Sequence, residues 1–466
     1  MKNIASEVFF KLSESFLQAI GKLDSIKIFG KVSDVHPALI ECNGISSTVS
    51  VGDICCVISS DPFALKKLNT ICEVISIRKD KVQLLPFKGD ARVKIGDLVR
   101  LEDSKTLVYP DLSWQGRVIN ALAEPIDGLG PLYCGYNPYS LRAEPLPFHR
   151  RKKMGAKMSL GTKAIDVFTP CCFGQRLGIF SGSGVGKSTL VSMLTKYAKV
   201  DVKVIALVGE RSREAKEFID QYLGANLANA VIISATGDES PVMKKRAAYL
   251  AMTISEYFRD QGLEVLFIMD SVTRFAMAQR EIGLAVGEFP VNKGYTPSVF
   301  SELPKLLERA GPGDSASSIT AIFTVLVEGD DHQEPISDAL RAILDGHIVL
   351  SNEIASRGRF PAIDVLKSIS RSAPGCYSKY ESDIVRYARR LLSTYQNMEE
   401  MIRLGIYKKG TDTEVDLAIK YYDQIEIFLN QMPNESSASE DSYRELAKIL
   451  EINDNEKSAG NIDKDQ

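Results

Sequence analysis

The chain has 466 residues, 44% of them hydrophobic and 25% charged, with a formal net charge of −3 and eight cysteines. That length exceeds one ordinary core and fits about two to four domains of a globular protein. The charge balance excludes a global attraction to nucleic acid or an anionic membrane, and no stretch reaches the ~20 apolar residues of a membrane span.

Residues 1–24 place Val8, Leu12, Phe16 and Ile20 four apart on one helical face, an amphipathic helix that packs on its own domain or receives a partner. The same segment has neither the cationic start nor the apolar run of a secretory leader, so a cytoplasmic chain is expected. Over 25–100 the period changes: "SIKIFGKV", "STVSVGDICCVI", "CEVISI" and "KVQLLPF" are short strand runs. "VSVGDIC" and "VKIGDLV" repeat a Gly-Asp turn, and together these predict a small β-barrel. The cysteines include the neighbours Cys55-Cys56 and Cys171-Cys172 without C-x-x-C spacing, which predicts reduced thiols.

Residues 101–150 read as a Pro/Gly-rich connector, closed by the basic run "HRRKK", a solvated edge because no aromatic residues interleave it. From 151 to 375, "RLGIF", "KVIALVG", "AVIISAT", "EVLFIMD" and "ITAIFTVLV" alternate with helical stretches, as strands of a mainly parallel sheet buried on both faces do. Residues 376–432 read as helical, with Ala418, Tyr422, Ile425 and Leu429 as a core stripe. Residues 433–466, rich in Ser, Asn, Asp and Glu, read as an acidic mobile tail with a short helix candidate at "SYRELAKILE".

The chemistry centres on "GIFSGSGVGKSTL", residues 178–190, between a strand and a helix candidate. Gly182, Ser183, Gly184, Val185, Gly186, Lys187, Ser188 and Thr189 form a loop whose backbone N–H groups and helix start suit phosphate oxygens. Lys187 is placed to reach the β- and γ-phosphates and the Ser188 hydroxyl to hold Mg²⁺. Ser181 stands where the usual pattern has its first glycine, and its small side chain is tolerable there. Asp270 ends an apolar strand, where a carboxylate can order Mg²⁺ through water. Glu210 follows another strand and is either the base that polarises water or a charge serving a helix start.

"PAIDVLKSIS" at 361–370 fits the signature of the rotary ATPase superfamily, and "GERSREAKEFI" is similar to its catalytic-glutamate segment. From about residue 25 to 431 the chain resembles the F- and V-type catalytic subunits. "DSVTRFAMAQREIGLAVGEFPVNKGYTPSVFSELPKLLERAG", "EGDDHQEPISDALRAILDGHIVLS" and "GTDTEVDLAIKYYDQIEIFLNQ" resemble the type III secretion branch, with "AMAQREIGLAVGE" nearest the flagellar export ATPases. The resemblance implies an α/β fold, with a P-loop NTPase (RecA-like) core between an N-terminal β-barrel and a C-terminal helical domain. It implies Mg²⁺-dependent ATP hydrolysis at the interfaces of a homohexamer, with Glu210 as base and Arg211 beside the phosphate. Arg274 is then close to the γ-phosphate, where spacing alone also allows a salt bridge, and Phe360 beside the adenine, where core packing is the alternative. Arg371 follows the signature and, unless a plain surface charge, reaches a neighbour's nucleotide.

The implied partners are a dimeric stalk-like regulator, a central stalk protein, an export gate at the inner membrane, and export cargo with its chaperones. The implied location is cytoplasmic and peripheral to that membrane, and no nucleic-acid partner is implied. An injectisome ATPase is the nearest alternative. An ATP synthase catalytic subunit is next, disfavoured by the secretion-type segments. A non-hydrolysing structural subunit typically carries glutamine where Glu210 stands, and an RNA translocase calls for basic and aromatic surfaces.

Overall fold

The computed structural model describes residues 28–37, 39–59, 69–89, 92–102, 106–223, 228–327 and 334–452. The amphipathic segment expected over 1–24 lies outside them. The barrel strands are Phe29–Val35 (β1), Ile40–Asn43 (β2), Ile54–Ile58 (β3), Asn69–Arg78 (β4), Lys81–Pro86 (β5) and Leu98–Leu101 (β6); burial alternates along β2 and the start of β1, whereas β3 is apolar and buried nearly throughout. The six strands close into a barrel in the order β1-β2-β5-β4-β3-β6, around Val32, Val57, Val74, Val82, Leu84 and Val99. Cys42, Cys55 and Cys72 fill the same interior as small apolar side chains, and burial pushes the Cys42 and Cys55 thiols up to about 12. The barrel belongs to the first of two compact units, which meet between Thr106 and Leu107 in sequence.

In the second unit the apolar runs become strands Val118–Asn120 (β7), Arg176–Ser181 (β8), Val202–Val208 (β9), Ala230–Ala235 (β10), Val265–Asp270 (β11), Ser318–Leu326 (β12), Gly346–Leu350 (β13) and Ile363–Ser370 (β14). They run β14-β13-β8-β12-β11-β9-β10-β7 through one nine-stranded sheet, Gly311–Pro312 pairing onto the start of β12 off that path. From β13 to β7 every neighbour is parallel, whereas β14 is antiparallel to β13 and Gly311–Pro312 to β12. Every residue of β9 and β11 is buried, because helices Lys187–Tyr197 (α1), Pro241–Asp260 (α2) and Val272–Ala285 (α3) cover the faces. The parallel direction brings the carboxyl ends of β8, β9, β11 and β12 to one edge, where open α/β sheets bind ligands. The expected architecture, barrel, P-loop core and C-terminal helices, is the one observed.

The chain then forms Lys379–Arg403 (α4), Thr413–Leu429 (α5) and Ser439–Ile449 (α6). A capping box opens α4: the Ser378 hydroxyl accepts from the Glu381 N–H and the Glu381 carboxylate accepts from the Ser378 N–H. Ala418, Ile425 and Leu429 are buried as expected, but Tyr421 rather than Tyr422 completes the stripe. The Tyr422 ring instead stacks on Tyr395 of α4 at 3.6 Å.

Two expectations are corrected here. The helix candidate after Pro433 forms, but the segment around it is not a mobile tail through residue 450: Tyr443, Leu446, Ala447 and Leu450 recur at helical spacing and are buried in the main core. The Tyr443 hydroxyl donates to the Asp166 carbonyl at 2.9 Å, and the Lys157 ammonium lies 4.0 Å from its ring centroid. Four apolar residues on one face outweigh a polar composition. The thiols are also not all reduced, since Cys172 is bonded to Cys376 across a sequence separation of 204.

The packing of α6 makes a measurable difference. Leu446 is fully buried, so Leu446→Ala should lower stability by about 2–5 kcal/mol, read as a fall in the urea midpoint. A change below about 0.5 kcal/mol, as for an exposed residue, would contradict the packed helix.

Candidate active site

Strand β8 ends at Ser181, still paired in register with Leu326 of β12, and the Ser181 carbonyl accepts from the Val327 N–H at 2.9 Å. Position 181 therefore belongs to extended strand and needs no glycine. The left-handed backbone comes later, at Gly184 (φ 79°) and at Gly186 (φ 93°), which caps α1 immediately before Lys187. Loop residues from Gly182 to Thr189 line a cavity of about 380 Å³ with Glu210, Arg211 and Arg274. Val185 is the exception: its side chain is buried in the core cluster, leaving only its backbone for the loop.

The Lys187 ammonium donates to Glu210 Oε1 at 3.3 Å and makes a close contact to Asp270 Oδ1. These groups come from the start of α1 and the ends of β9 and β11, so the sheet edge assembles them. Asp270 Oδ1 also accepts from the Thr324 hydroxyl of β12 at 2.6 Å. Thr324 was not among the expected site residues. Its one signal is a lone hydroxyl in the apolar run "AIFTVLV".

Burial works against the Lys187 charge, but the two carboxylates outweigh it and hold the ammonium above its ordinary pKa. Burial, and then the charge of Asp270, raise the Glu210 carboxyl to about 7, with Lys187 opposing. That value is suited to a proton acceptor near neutrality.

Arg274 reaches the cavity because position 209 is glycine (φ 73°), where a Cβ would lie 2.9 Å from the Arg274 Cβ. Its Nε is buried without a hydrogen-bond partner, and it makes no ion pair among the described residues. Arg211, at the N-cap of a short helix, is exposed and pairs with Glu214 at 3.5 Å. Phe360 is 45% exposed, with a ring atom 3.8 Å from where a Gly186 Cβ would sit. Arg371 stands apart: it is exposed, donates to the Arg341 carbonyl at 3.1 Å, and lines a depression with Asp345, Cys172 and Cys376 instead of the loop cavity.

Three cations, an unpaired guanidinium N–H and the start of a helix make a cavity for a polyanion. The exposed Ser188 hydroxyl beside it and the Asp270 carboxylate are oxygen donors of the kind Mg²⁺ takes. The residues present fit a nucleotide with its metal.

Residues 161–370 match the nucleotide-binding domain of the ATP synthase alpha/beta family, and residues 378–448 match the T3SS EscN ATPase C-terminal domain. The chain is 51% identical over 444 residues to the flagellum-specific ATP synthase of Caulobacter vibrioides, covering 94% of this chain and 99% of the relative. It is 44% identical over 438 residues to the Bacillus subtilis counterpart, covering 94% and 98%. The chain belongs to the flagellum-specific ATP synthase family. In structure, this family member resembles the assembled ATPase EscN of the enteropathogenic E. coli type III secretion system, with a TM-score of 0.85 at 39% identity over 90% of this chain and all of that one. EscN in complex with its central stalk EscO gives 0.82 at 38% identity, with the same coverage. As a member of this ATP synthase family the chain is an ATP-hydrolysing enzyme.

A base in this flagellum-specific ATP synthase works only as the carboxylate. Since the Glu210 carboxyl is raised to about 7, kcat/KM for ATP should climb with pH between about 6 and 8 and level off above. A profile already flat from about pH 6 would remove Glu210 from the role of base.

Proposed function

We propose that this chain binds ATP with Mg²⁺ at the Gly182–Thr189 loop and hydrolyses it to drive protein export through a flagellar-type secretion apparatus. The observation that carries the reading is Lys187 held between Glu210 and Asp270 at the end of the loop. In this reading Lys187 leaves the carboxylates to engage the β- and γ-phosphates. Glu210, relieved of its ammonium partner, orients a water and accepts its proton. Arg274, with its spare N–H, and Arg211 bind γ-phosphate oxygens, and Phe360 stacks on the adenine. Ser188 and Asp270 hold Mg²⁺, directly and through water. When bound, the ion neutralises phosphate charge as it redistributes.

Arg371 does not line its own chain's phosphate cavity, which suits an arginine that serves the neighbouring subunit of a homohexamer. A central stalk partner follows from the likeness to EscN, which has been seen with EscO. The dimeric regulator, the export gate, and cargo with chaperones complete the proposed set, and nucleic acid is not part of it. No helix among the described residues is long and apolar enough to cross a membrane, so attachment at the inner membrane is proposed as peripheral, from the cytoplasm. The structural likeness to EscN keeps the injectisome as the second reading.

Deletion of the gene should abolish export of flagellar subunits, with the wild-type gene restoring it and Lys187→Ala failing. Intact flagella and lost effector secretion would favour the injectisome. In vitro, Glu210→Gln should retain nucleotide and slow turnover by about 10²–10⁴, and Arg371→Ala by about 10³–10⁵. Arg371→Ala and Lys187→Ala subunits fail on opposite sides of an interface, so mixed rings should regain activity that neither has alone. Verified mixed rings without recovery would exclude a finger acting in trans.

A further inference from the structure

Thr324 is fully buried in the middle of the sheet. On one side it is in register with Ile179 of β8, the strand that delivers the phosphate loop. On the other, the pair Met269–Phe323 precedes it, so the next residue of β11 is Asp270. Its neighbours Phe323 and Val325 are buried too. A valine would fill this position with the same shape and no polar group to satisfy, whereas a buried hydroxyl costs free energy unless it is bonded. The hydroxyl makes one hydrogen bond, 2.6 Å to Asp270 Oδ1. That length is typical of a bond to a charged acceptor.

We propose that Thr324 is a positioning residue for the nucleotide-bound metal, acting through Asp270; the inference rests on the reading of Asp270 given above. Both protein donors to the carboxylate, Thr324 Oγ1 and Lys187 Nζ, converge on Oδ1. Oδ2 has no protein donor among the described residues. When Lys187 turns to the phosphates, the carboxylate loses its ammonium partner, and Thr324 is the donor that remains to fix its rotation. The β-branched side chain is stiff about χ1, and its strand lies beside both β8 and β11, so the hydroxyl keeps its aim while loop and lysine rearrange. Oδ2 is thereby kept for the water shell of the ion. Groups that orient metal-binding residues in this way are typically worth about 10- to 100-fold in metal affinity or activity.

The test measures equilibrium binding of a fluorescent ADP analogue in EDTA and in a Mg²⁺ titration, alongside turnover. Thr324→Val should bind the analogue within about twofold of wild type in EDTA, because Lys187 and the loop are untouched. Its Mg²⁺ half-saturation should rise, and its kcat fall, by about 10- to 100-fold. Thr324→Ser, which keeps the hydroxyl, should recover most of both. Thr324→Ala also lacks the hydroxyl and is read the same way should the valine variant not fold. Asp270→Asn separates the two levels of argument. If it leaves Mg²⁺ dependence unchanged, the reading of Asp270 itself falls. If it abolishes that dependence while Thr324→Val retains wild-type Mg²⁺ half-saturation and changes only thermal stability, Thr324 is structural and the inference is overturned.

Discussion

A charged lysine is costly to withdraw from water without a compensating charge, and Lys187, with a side chain only 11% exposed, has two. The ion pairs of Lys187 with Asp270 and Glu210 are the constraint around which the core is arranged. They require the start of α1 and the ends of β9 and β11 to meet at one edge. A parallel sheet in the order β8-β12-β11-β9 provides this directly, because every strand delivers its carboxyl end to the same side. The same pairing sets the resting electrostatics. The lysine's charge is balanced, the Glu210 carboxyl is raised to about 7, and Arg274, without an ion pair among the described residues, is left as the standing attraction for an incoming anion.

This arrangement also explains why binding and chemistry can be linked through so few groups. In the proposed mechanism, phosphate oxygens compete with the two carboxylates for one ammonium. Once that competition is won, Glu210 and Asp270 lose the partner that held them and become available as the proposed base and metal anchor. Carboxylates freed in this way still need a fixed orientation. For Asp270 the proposed source is the sheet itself, through the Thr324 hydroxyl of the adjacent strand, and not the phosphate loop.

Much of this was legible in the sequence because local rules coincide with the global fold. Glu210 and Asp270 each sit where a buried apolar run stops, and such stops mark strand ends in a parallel sheet, while Lys187 opens the helix after the loop that follows another strand. The strand-loop-helix order around Gly182–Thr189 was equally plain. What escaped had other causes. Ser181 looked anomalous only because the pattern does not say where the strand ends. The expected spacing 4-3-4 through Tyr422 and the observed 3-4-4 through Tyr421 both fit a turn of 3.6 residues, so spacing alone did not choose between the two tyrosines. The helix of α6 was a candidate from sequence, but polar composition concealed that its four apolar positions pack into the main core. The bond between Cys172 and Cys376 joins segments 204 residues apart, and Thr324 meets Asp270 only across strands, so neither has a local signature.

The segment after β14 ties these elements to the molecular surface. Gln175 and Arg176, at the entry to β8, hold β14 and its neighbour: the Gln175 amide donates to the Ser370 hydroxyl at 2.9 Å. Arg176 makes a two-point contact with Asp345, at 3.0 and 3.1 Å. The Asp345 carbonyl in turn accepts from the Arg371 N–H at 2.9 Å, and the Cys172–Cys376 bond closes the same corner. The strand that ends in the phosphate loop is thus joined at its opposite end to the backbone that presents Arg371. In the proposed ring, Arg371 faces the next subunit's nucleotide, so its position relative to its own loop is set by rigid strand and ion pair. It does not depend on a flexible connection.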